Sequence, residues 1–334
     1  VPPHLDRVTE TLISLGKSPN VAAVLVVSLG CEGTDHERLT AEIRKTGKPV
    51  RIIRIQELGG VSAAIKAGID AAQELVMLVS GIQRQPVSID RITMAIKCGA
   101  SDTTSGMASN CVVGYVADKL VDLGATVVFG ETTEFLGGEH LLARRAVNPE
   151  VSDKIYEIVN RMEARARSLG CDMRKGQPTP GNIEGGLSSI EEKSLGAIVK
   201  SGTRPIQGVM EYPETIGQRK GLWIKDTPGR EPEILTGMAA TGAQFMMFST
   251  GRGAPQGFPT MPVLKVCGNP NTYERMSHDM DINAGRIITG EKSIEEVGEE
   301  AFSAILDLLS GKQTKNETLG YHSSIDIYTL GPVI

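Results

Sequence analysis

The sequence predicts an α/β protein made of two Rossmann-like parallel-sheet units without a nucleotide-binding loop. Three observations predict it. Continuous β-branched runs such as VAAVLVVS (Val21–Ser28) read as strands buried on both faces. In the first half each such run is followed by a segment with helical apolar spacing, and that alternation imposes right-handed crossovers and a parallel sheet. No phosphate loop follows any of these strands: GRGAPQG lacks the GK[ST] ending, and GGLSSI does not follow a strand.

Taken in order, HERLTAEIRKTG has helical spacing after the first strand. VRIIRI (Val50–Ile55) is the second strand, followed by a helix through VSAAIKAGIDAAQELVMLV. ITMAIK (Ile92–Lys97), a helix through CVVGYVADKLVDLG, and ATVVFG (Ala125–Gly130) complete four strand-helix units. Helices ending at HLLARRAV and SDKIYEIVNRMEARARSLG lead to a polar break, CDMRKGQPTPGNIEGG (Cys171–Gly186), whose Pro and Gly content predicts a linker. The expected domains are therefore 1–170 and 187–334, joined by 171–186. In the second, IEEKSLGAIVKSG reads as a helix, AQFMMFST (Ala243–Thr250) and PVLKVCG (Pro262–Gly268) as strands, and SIEEVGEEAFSAILDLLSG as an amphipathic helix opened by the capping box SIEE.

Length and composition narrow the function. A chain of 334 residues with 40 % hydrophobic and 22 % charged residues can bury two ordinary cores. A net charge of -5 gives no basic footprint for nucleic acid or an anionic membrane. No apolar run reaches the roughly 20 residues that span a bilayer and VPPHLDRVTE has no signal-peptide core, so the cytoplasm is the expected location. Five cysteines without a CxxC pair suit a reducing compartment. The chain begins without Met, which leaves room for an upstream segment.

In open α/β sheets ligands bind beyond the carboxyl ends of the strands. After the four predicted strands stand LGCEG, QELGG, CGASDTTSG and GETTEFLGGEH, each with metal- or anion-competent groups beside glycine. Cys31 and Cys98 sit at strand ends near carboxylates, whereas Cys111, Cys171 and Cys267 read as structural. Ser101, Asp102 and Thr103 fit helix capping and ligand binding equally well. Glu134, Glu139 and His140 are close enough in sequence to share a metal or to act as base and orienter, or they are simply a helix start. Lys193 and Lys200, seven residues apart, share a helix face that either binds an acid or faces solvent. Asn182, KSGT and STGRG suit a carboxylate or a polyhydroxylated acid.

The segments SLGCE, IQELGG, CGASDTTSG, ETTEFLGGEH, PTPGNIEGGLSSIEEKSLG, KSGT, FSTGRGAPQG, MDINAG and GKQTKNE, in that order, resemble the altronate and galactarate dehydratases, whose large catalytic chain also occurs in sulfolactate sulfo-lyase. The resemblance covers Pro19 to the C-terminus. It implies a lyase that removes water from a sugar acid to leave a 2-keto-3-deoxy acid, or, as the alternative, one that releases sulfite from sulfolactate and leaves pyruvate. From a different class, a non-catalytic sugar-acid-binding subunit is the competing reading. The resemblance also implies a divalent metal, Fe2+ foremost and Mn2+ next, with Cys31, Cys98 and His140 as ligands. Glu134, His140 and Lys193 are the expected proton-transfer residues. Ser101, Asp102, Ser105, Asn182, Lys200, Ser201, Thr203, Thr250 and Arg252 are expected to hold the substrate. Ala100 stands where Gly is usual, and Ser109–Cys111 where an Asn-Pro is usual, which bears on specificity. One-chain members carry a small N-terminal domain not found in this sequence, so either a separate small subunit supplies part of the site or the sequence is part of a longer chain; an oligomeric assembly is also expected.

Overall fold

The structure, a computed structural model, describes residues 4–322 and 324–331. It is α/β, with one two-stranded and one seven-stranded parallel sheet. The small sheet pairs β1 (Val24–Ser28) with β2 (Val50–Arg54). The large sheet contains β3 (Thr93–Gly99), β4 (Thr126–Phe129), β5 (Ile206–Met210), β6 (Gly221–Lys225), β7 (Phe245–Thr250), β8 (Val263–Cys267) and β9 (Ile282–Asn283), in the spatial order β5-β6-β4-β3-β7-β8-β9.

The division into units differs from the expected one. β3 and β4 precede the 171–186 segment and β5 to β9 follow it, yet all seven strands share one sheet. The segment is therefore part of a crossover within a sheet. Its polar residues are used in packing: Thr103 N donates to Gly185 O at 3.1 Å, and Asn182 Nδ2 donates to Ser101 O at 2.9 Å. The break between sheets falls instead after the helix Val61–Val79, where Gly81–Ser88 is exposed and irregular. Strand-helix alternation does not say which strands pair; burial decides it. β3 is buried along its whole length between β4 and β7, whereas β1 is only partly covered.

Alternate residues of β3 enter different cores. Met94 and Ile96 pack with Val113, Val127 and Phe245 on one face, and Ala95 packs with Val128 and Met246 on the other. A fully buried side chain of Met or Ile size contributes about 1.5–3 kcal/mol, so β3 is anchored from both sides. The chain leaves β3 toward β4 and later returns to β3's other flank as β7, which makes the carboxyl end of β3 the crevice where the winding reverses. Among the described residues no helix is long and apolar enough to cross a membrane.

Candidate active site at the carboxyl end of β3

Four elements meet beyond β3. β3 itself supplies Lys97 and Cys98. The turn after β4 supplies Glu131 and, through a short 3-10 turn (Thr132–Glu134), Glu134. Glu131 has φ 69°, a left-handed conformation that a non-glycine residue adopts only when its surroundings impose it. Here the imposing contacts are to the loop after β6: Glu131 N donates to Thr227 Oγ1 at 2.8 Å, and Thr132 N to Thr227 O at 3.0 Å. The fourth element is the helix Ile190–Ile198 with its 3-10 extension Val199–Ser201, which carries Lys193 and Lys200. Its N-cap is Ser189, whose side chain accepts from Glu192 N.

The resulting cluster is closed to water. Lys97, Cys98, Glu131 and Lys200 are each no more than 1 % exposed. Cys98 Sγ lies 2.9 Å from Glu134 Oε2 and 2.9 Å from Lys200 Nζ. Lys200 Nζ also donates to Glu131 Oε2, and to Glu134 Oε2 at 3.1 Å. Lys97 Nζ donates to Glu131 Oε1 at 3.0 Å and lies over the Phe248 ring. Cys98 N donates to Glu131 Oε2 at 2.9 Å. Two carboxylates thus face two ammonium groups, an arrangement that offsets the desolvation of all four.

Burial pushes the Cys98 thiol well above its ordinary range, and Glu131 and Glu134 push the same way, so the thiol is neutral and donates to Glu134. Burial also opposes the charge on Glu134, but Lys200 and Lys193 outweigh it and hold that carboxyl at about 2. Burial works against the charge on Lys200 too, and the carboxylates of Glu131 and Glu134 more than offset it, leaving a firmly held ammonium.

Two cavities open beside the cluster. One, of about 250 Å³, is lined by Thr133, Glu134, Gln177, Lys193 and Arg230 among others. The second, of about 350 Å³, is lined by Ser101, Asp102, Ser105, Asn110 and Lys193 among others. Lys193 is the ionisable side chain common to both. Its Nζ donates to Gln177 Oε1 at 2.8 Å and to Asn182 Oδ1 at 3.2 Å, and lies 3.8 Å from Glu134 Oε1. A larger cavity, of about 1130 Å³, is at the opposite, amino ends of β3, β7 and β8, beside Ile92, Phe245 and Pro262, and contains none of these groups.

The structure brings together Cys98, Glu134, Lys193 and Lys200, with Asn182 as the group that orients Lys193. Other expected residues stand elsewhere. Cys31 is exposed at the end of β1, where Gln56 Nε2 donates to its sulfur at 3.2 Å. It is a surface thiol of the small sheet and lies outside the Cys98 cluster. His140 is exposed, on the helix Glu139–Ala143, whose buried residues are Leu142 and Ala143. The expected ligand set of Cys31, Cys98 and His140 is therefore replaced. Among the described residues, one group of three metal-competent side chains forms, Cys98, Glu131 and Glu134, with donor atoms within 4.8 Å of one another.

Ser101, Asp102 and Ser105 line the second cavity, but Asp102 is also a cap: its Oδ1 accepts from Thr104 Oγ1 at 2.6 Å and Ser105 N at 3.1 Å, and its Oδ2 from Asn269 Nδ2 at 3.0 Å. Ser201 is buried against Arg145 and Ile198 O, and Thr203 is exposed and bound to Asp118. Thr250 Oγ1 accepts from Gly253 N. Arg252 clamps Gly181 O and Glu184 and lines neither cavity. The sequence reading passed over Glu131, Lys97 and the loop Asp226–Arg230. A short apolar run followed by a polar glycine turn, GLWIKDTPG, was the available signal for that loop.

Comparison with known proteins agrees with this architecture. The D-galactarate/altronate dehydratase C-terminal model matches residues 89–333, and the second-domain model of galactarate dehydratase and altronate hydrolase matches residues 2–80. The boundary between the two matches falls where the small sheet gives way to the large one. The subunit beta of (2R)-sulfolactate sulfo-lyase from Chromohalobacter salexigens is 39 % identical over 323 residues, covering 96 % of this chain and 82 % of that subunit. Galactarate dehydratase (L-threo-forming) from Escherichia coli is 35 % identical over 331 residues, 97 % of this chain and 63 % of that enzyme. Altronate dehydratase from Bacillus subtilis is 30 % identical over 312 residues, 93 % of this chain and 62 % of that enzyme. The chain thus spans less than two thirds of either dehydratase. By these matches and by its fold, the chain belongs to the galactarate and altronate dehydratase family of lyases.

Proposed function

We propose that the chain carries out the eliminating step of a lyase on a 2-hydroxy acid of the sugar-acid type, with water as the leaving group. The observation that supports this best is the buried Cys98, Glu131, Glu134 and Lys200 cluster, of which Glu134 borders a cavity whose wall also holds Lys193. Elimination begins with loss of the proton beside the carboxylate. That proton is weakly acidic, so the site must stabilise the negative charge that develops on the carboxyl oxygens.

Cys98, Glu131 and Glu134 are a donor set of the kind a divalent cation takes, and because Lys200 Nζ contacts all three, a cation would have to take the place of that ammonium. A sulfur with two carboxylate oxygens accepts Fe2+ or Mn2+. When bound, such a cation would supply Lewis-acid stabilisation of the enediolate charge. The protein's own groups divide the remaining work. Lys193, set between the two cavities and oriented by Gln177 and Asn182, is the group placed to take the α-carbon proton, which it does in the form that has given up its own ammonium proton. Glu134, held ionised near pKa 2, is a poor base at neutral pH and serves as an anionic anchor. The Ser101 to Ser105 stretch offers hydroxyls to the substrate from the second cavity.

A second reading is release of sulfite from a sulfonated hydroxy acid. It is favoured by the identity to the sulfo-lyase subunit beta, of which the chain covers a larger share than it does of the dehydratases. That relative is named as a subunit, so a separate small subunit belongs to this reading. The test is an anaerobic assay with ferrous ion, with and without the partner subunit, on altronate, galactarate and sulfolactate, reading keto acid and sulfite separately. Keto acid from a sugar acid supports the first reading and sulfite supports the second. No product from any of the three ends both.

A further inference from the structure

We propose that Asn110 is the positioning residue for both lysines of the site: it ties the helix Ile190–Ile198 to β7, and through that helix it sets how firmly Lys200 occupies the space among Cys98, Glu131 and Glu134. The inference goes beyond the lyase reading above, and only its turnover measurement rests on that reading. The three donors stand on β3 and on the turn after β4, whereas the ammonium that contacts all three arrives from the 3-10 extension Val199–Ser201. A lysine stem is long and flexible, so the seat of the helix backbone decides where the amine is delivered. Lys193 lies three residues before Gly196 and Lys200 four after it, and a contact at Gly196 therefore governs both.

The helix Asn110–Asp122 and the wide turn Ser105–Ser109 that opens it present Gly106, Asn110, Gly114 and Asp118 along one edge, four residues apart. That edge lies against the helix that carries the lysines. A Cβ on Gly106 would stand 3.1 Å from Gly196 Cα, so the two backbones touch with no side chain between them. At the far end Asp118 Oδ1 accepts from Thr203 N and its Oδ2 from Thr203 Oγ1, both at 2.7 Å. Asn110 is the polar side chain between these two ends, and it is 1 % exposed. Its Nδ2 donates to Gly196 O at 2.7 Å, and its Oδ1 accepts from Ser249 Oγ on β7. Ser249 Oγ lies 3.4 Å from Lys97 O, so the tie reaches β3 itself.

Gly196 O belongs to the last turn of its helix, where carbonyls run out of partners within the helix. Asn110 supplies a donor there, and Ser201 Oγ supplies another to Ile198 O at 2.8 Å. Between these two ties the chain tightens into the 3-10 turn that brings Lys200 Nζ to Cys98 Sγ. The position calls for a donor toward Gly196 O and an acceptor toward the Ser249 hydroxyl, and both ends of the buried amide are used. Leucine keeps much of the shape and offers neither. Asn110 itself is bonded to none of the three donors, so it acts on the centre through Lys200 and Lys193.

The test is a double-substitution cycle read by Mn2+ binding to the purified protein. Lys200 and a cation compete for the same donors, so a helix that holds Lys200 less firmly yields its place more easily. Asn110→Leu is expected to bind Mn2+ about fivefold more tightly than the unsubstituted chain, and Ser249→Ala, which removes only the hydroxyl that orients the amide, to shift affinity the same way by a smaller factor. In the Lys200→Met background neither substitution should change Mn2+ affinity, because the competitor is already gone. A merely structural role would disturb the centre alike with and without Lys200, and an equal change in the two backgrounds overturns the proposal. Unchanged or weaker binding in Asn110→Leu also overturns it; if that variant does not fold, the same result in Ser249→Ala does so. On any substrate that is turned over, Asn110→Leu is expected to lower kcat about tenfold while KM holds, since the aim of Lys193 is lost and the cavity walls are not. A loss carried by KM with kcat intact overturns the role assigned toward Lys193. Absence of turnover in every protein bears on the lyase reading alone and leaves the Mn2+ result to decide.

Discussion

Replacing Lys200 by Met tests the charge balance on which the site depends. Methionine keeps the length and much of the volume of the lysine stem but removes the ammonium that contacts Cys98 Sγ, Glu131 and Glu134. Lys97 still neutralises Glu131 through its 3.0 Å contact, and Lys193 stays 3.8 Å from Glu134 Oε1. One buried negative charge loses its direct partner. Removing one member of a buried ion pair costs about 3–5 kcal/mol because the remaining charge is neither hydrated nor paired. Unfolding in urea, without added metal, is therefore expected to show a loss in that range. The same donors would hold a divalent cation, so Lys200 and the metal compete for them. Mn2+ is expected to bind Lys200→Met at least tenfold more tightly than the unsubstituted chain, and saturating Mn2+ to recover much of the lost stability, since a ligand stabilises whatever folded state it binds. An unchanged Mn2+ affinity refutes the shared-donor argument. A stability loss below about 1 kcal/mol refutes the claim that the cluster is a closed, balanced set of charges.

Three further outcomes are expected. Cys98→Ala should lower the metal content of the purified protein together with its activity; unchanged metal stoichiometry removes Cys98 from the ligand set. Gly114→Ala places a Cβ 2.3 Å from Val199 O, against the backbone that carries Lys200, so stability should fall by about 1–3 kcal/mol through overpacking and turnover should fall further as Lys200 leaves the cluster; an active variant of normal stability would show that the turn yields freely. Lys265, buried in β8, has its pKa lowered to about 8 by burial, with Asp281 and Asp279 acting in the opposite sense. From pH 8 upward the unfolded chain holds a proton that the folded chain has released, so stability contributed by this group rises with pH until the ordinary lysine value of 10.5, by roughly 3 kcal/mol in all; Lys265→Met should remove that rise from urea midpoints, and parallel pH profiles would refute the assignment.

The sequence points to the carboxyl end of β3, where the buried cluster lies, and divides the chain differently from the two sheets, and both results have local causes. Polar residues beside glycine after β3 and β4 mark strand ends whichever sheet the strands join, so Cys98 and Glu134 were legible. Pairing partners were not, because β1 and β3 look alike as apolar runs while only β3 is covered on both flanks. The Pro- and Gly-rich composition of 171–186 signals irregular backbone. That backbone turned out to be a wall of the site, holding Asn182 against Ser101 and Lys193.

Single residues were lost for equally local reasons. In KSGT the 3-10 turn spaces successive side chains about 120° apart. Only Lys200 can point at Cys98 while Ser201 meets Arg145, and beyond the turn Thr203 meets Asp118. The three polar residues of this stretch therefore cannot all be ligands, a limit that the geometry of the turn imposes and the composition of the stretch does not reveal. Glu131 is the converse case. At φ 69° its side chain is turned back beneath Cys98, and the contact that imposes this comes from Thr227, 96 residues later in the chain. A carboxylate whose direction is set by so distant a strand end carries no local mark. The centre is therefore a property of the parallel sheet: it exists only once β3, β4 and β6 lie side by side, with β4 in the middle. Thr227→Val, which removes the hydroxyl that accepts from Glu131 N, should accordingly lower metal content and activity although it touches none of the three donors; full metal content in that variant would show that Glu131 is oriented by its own segment alone.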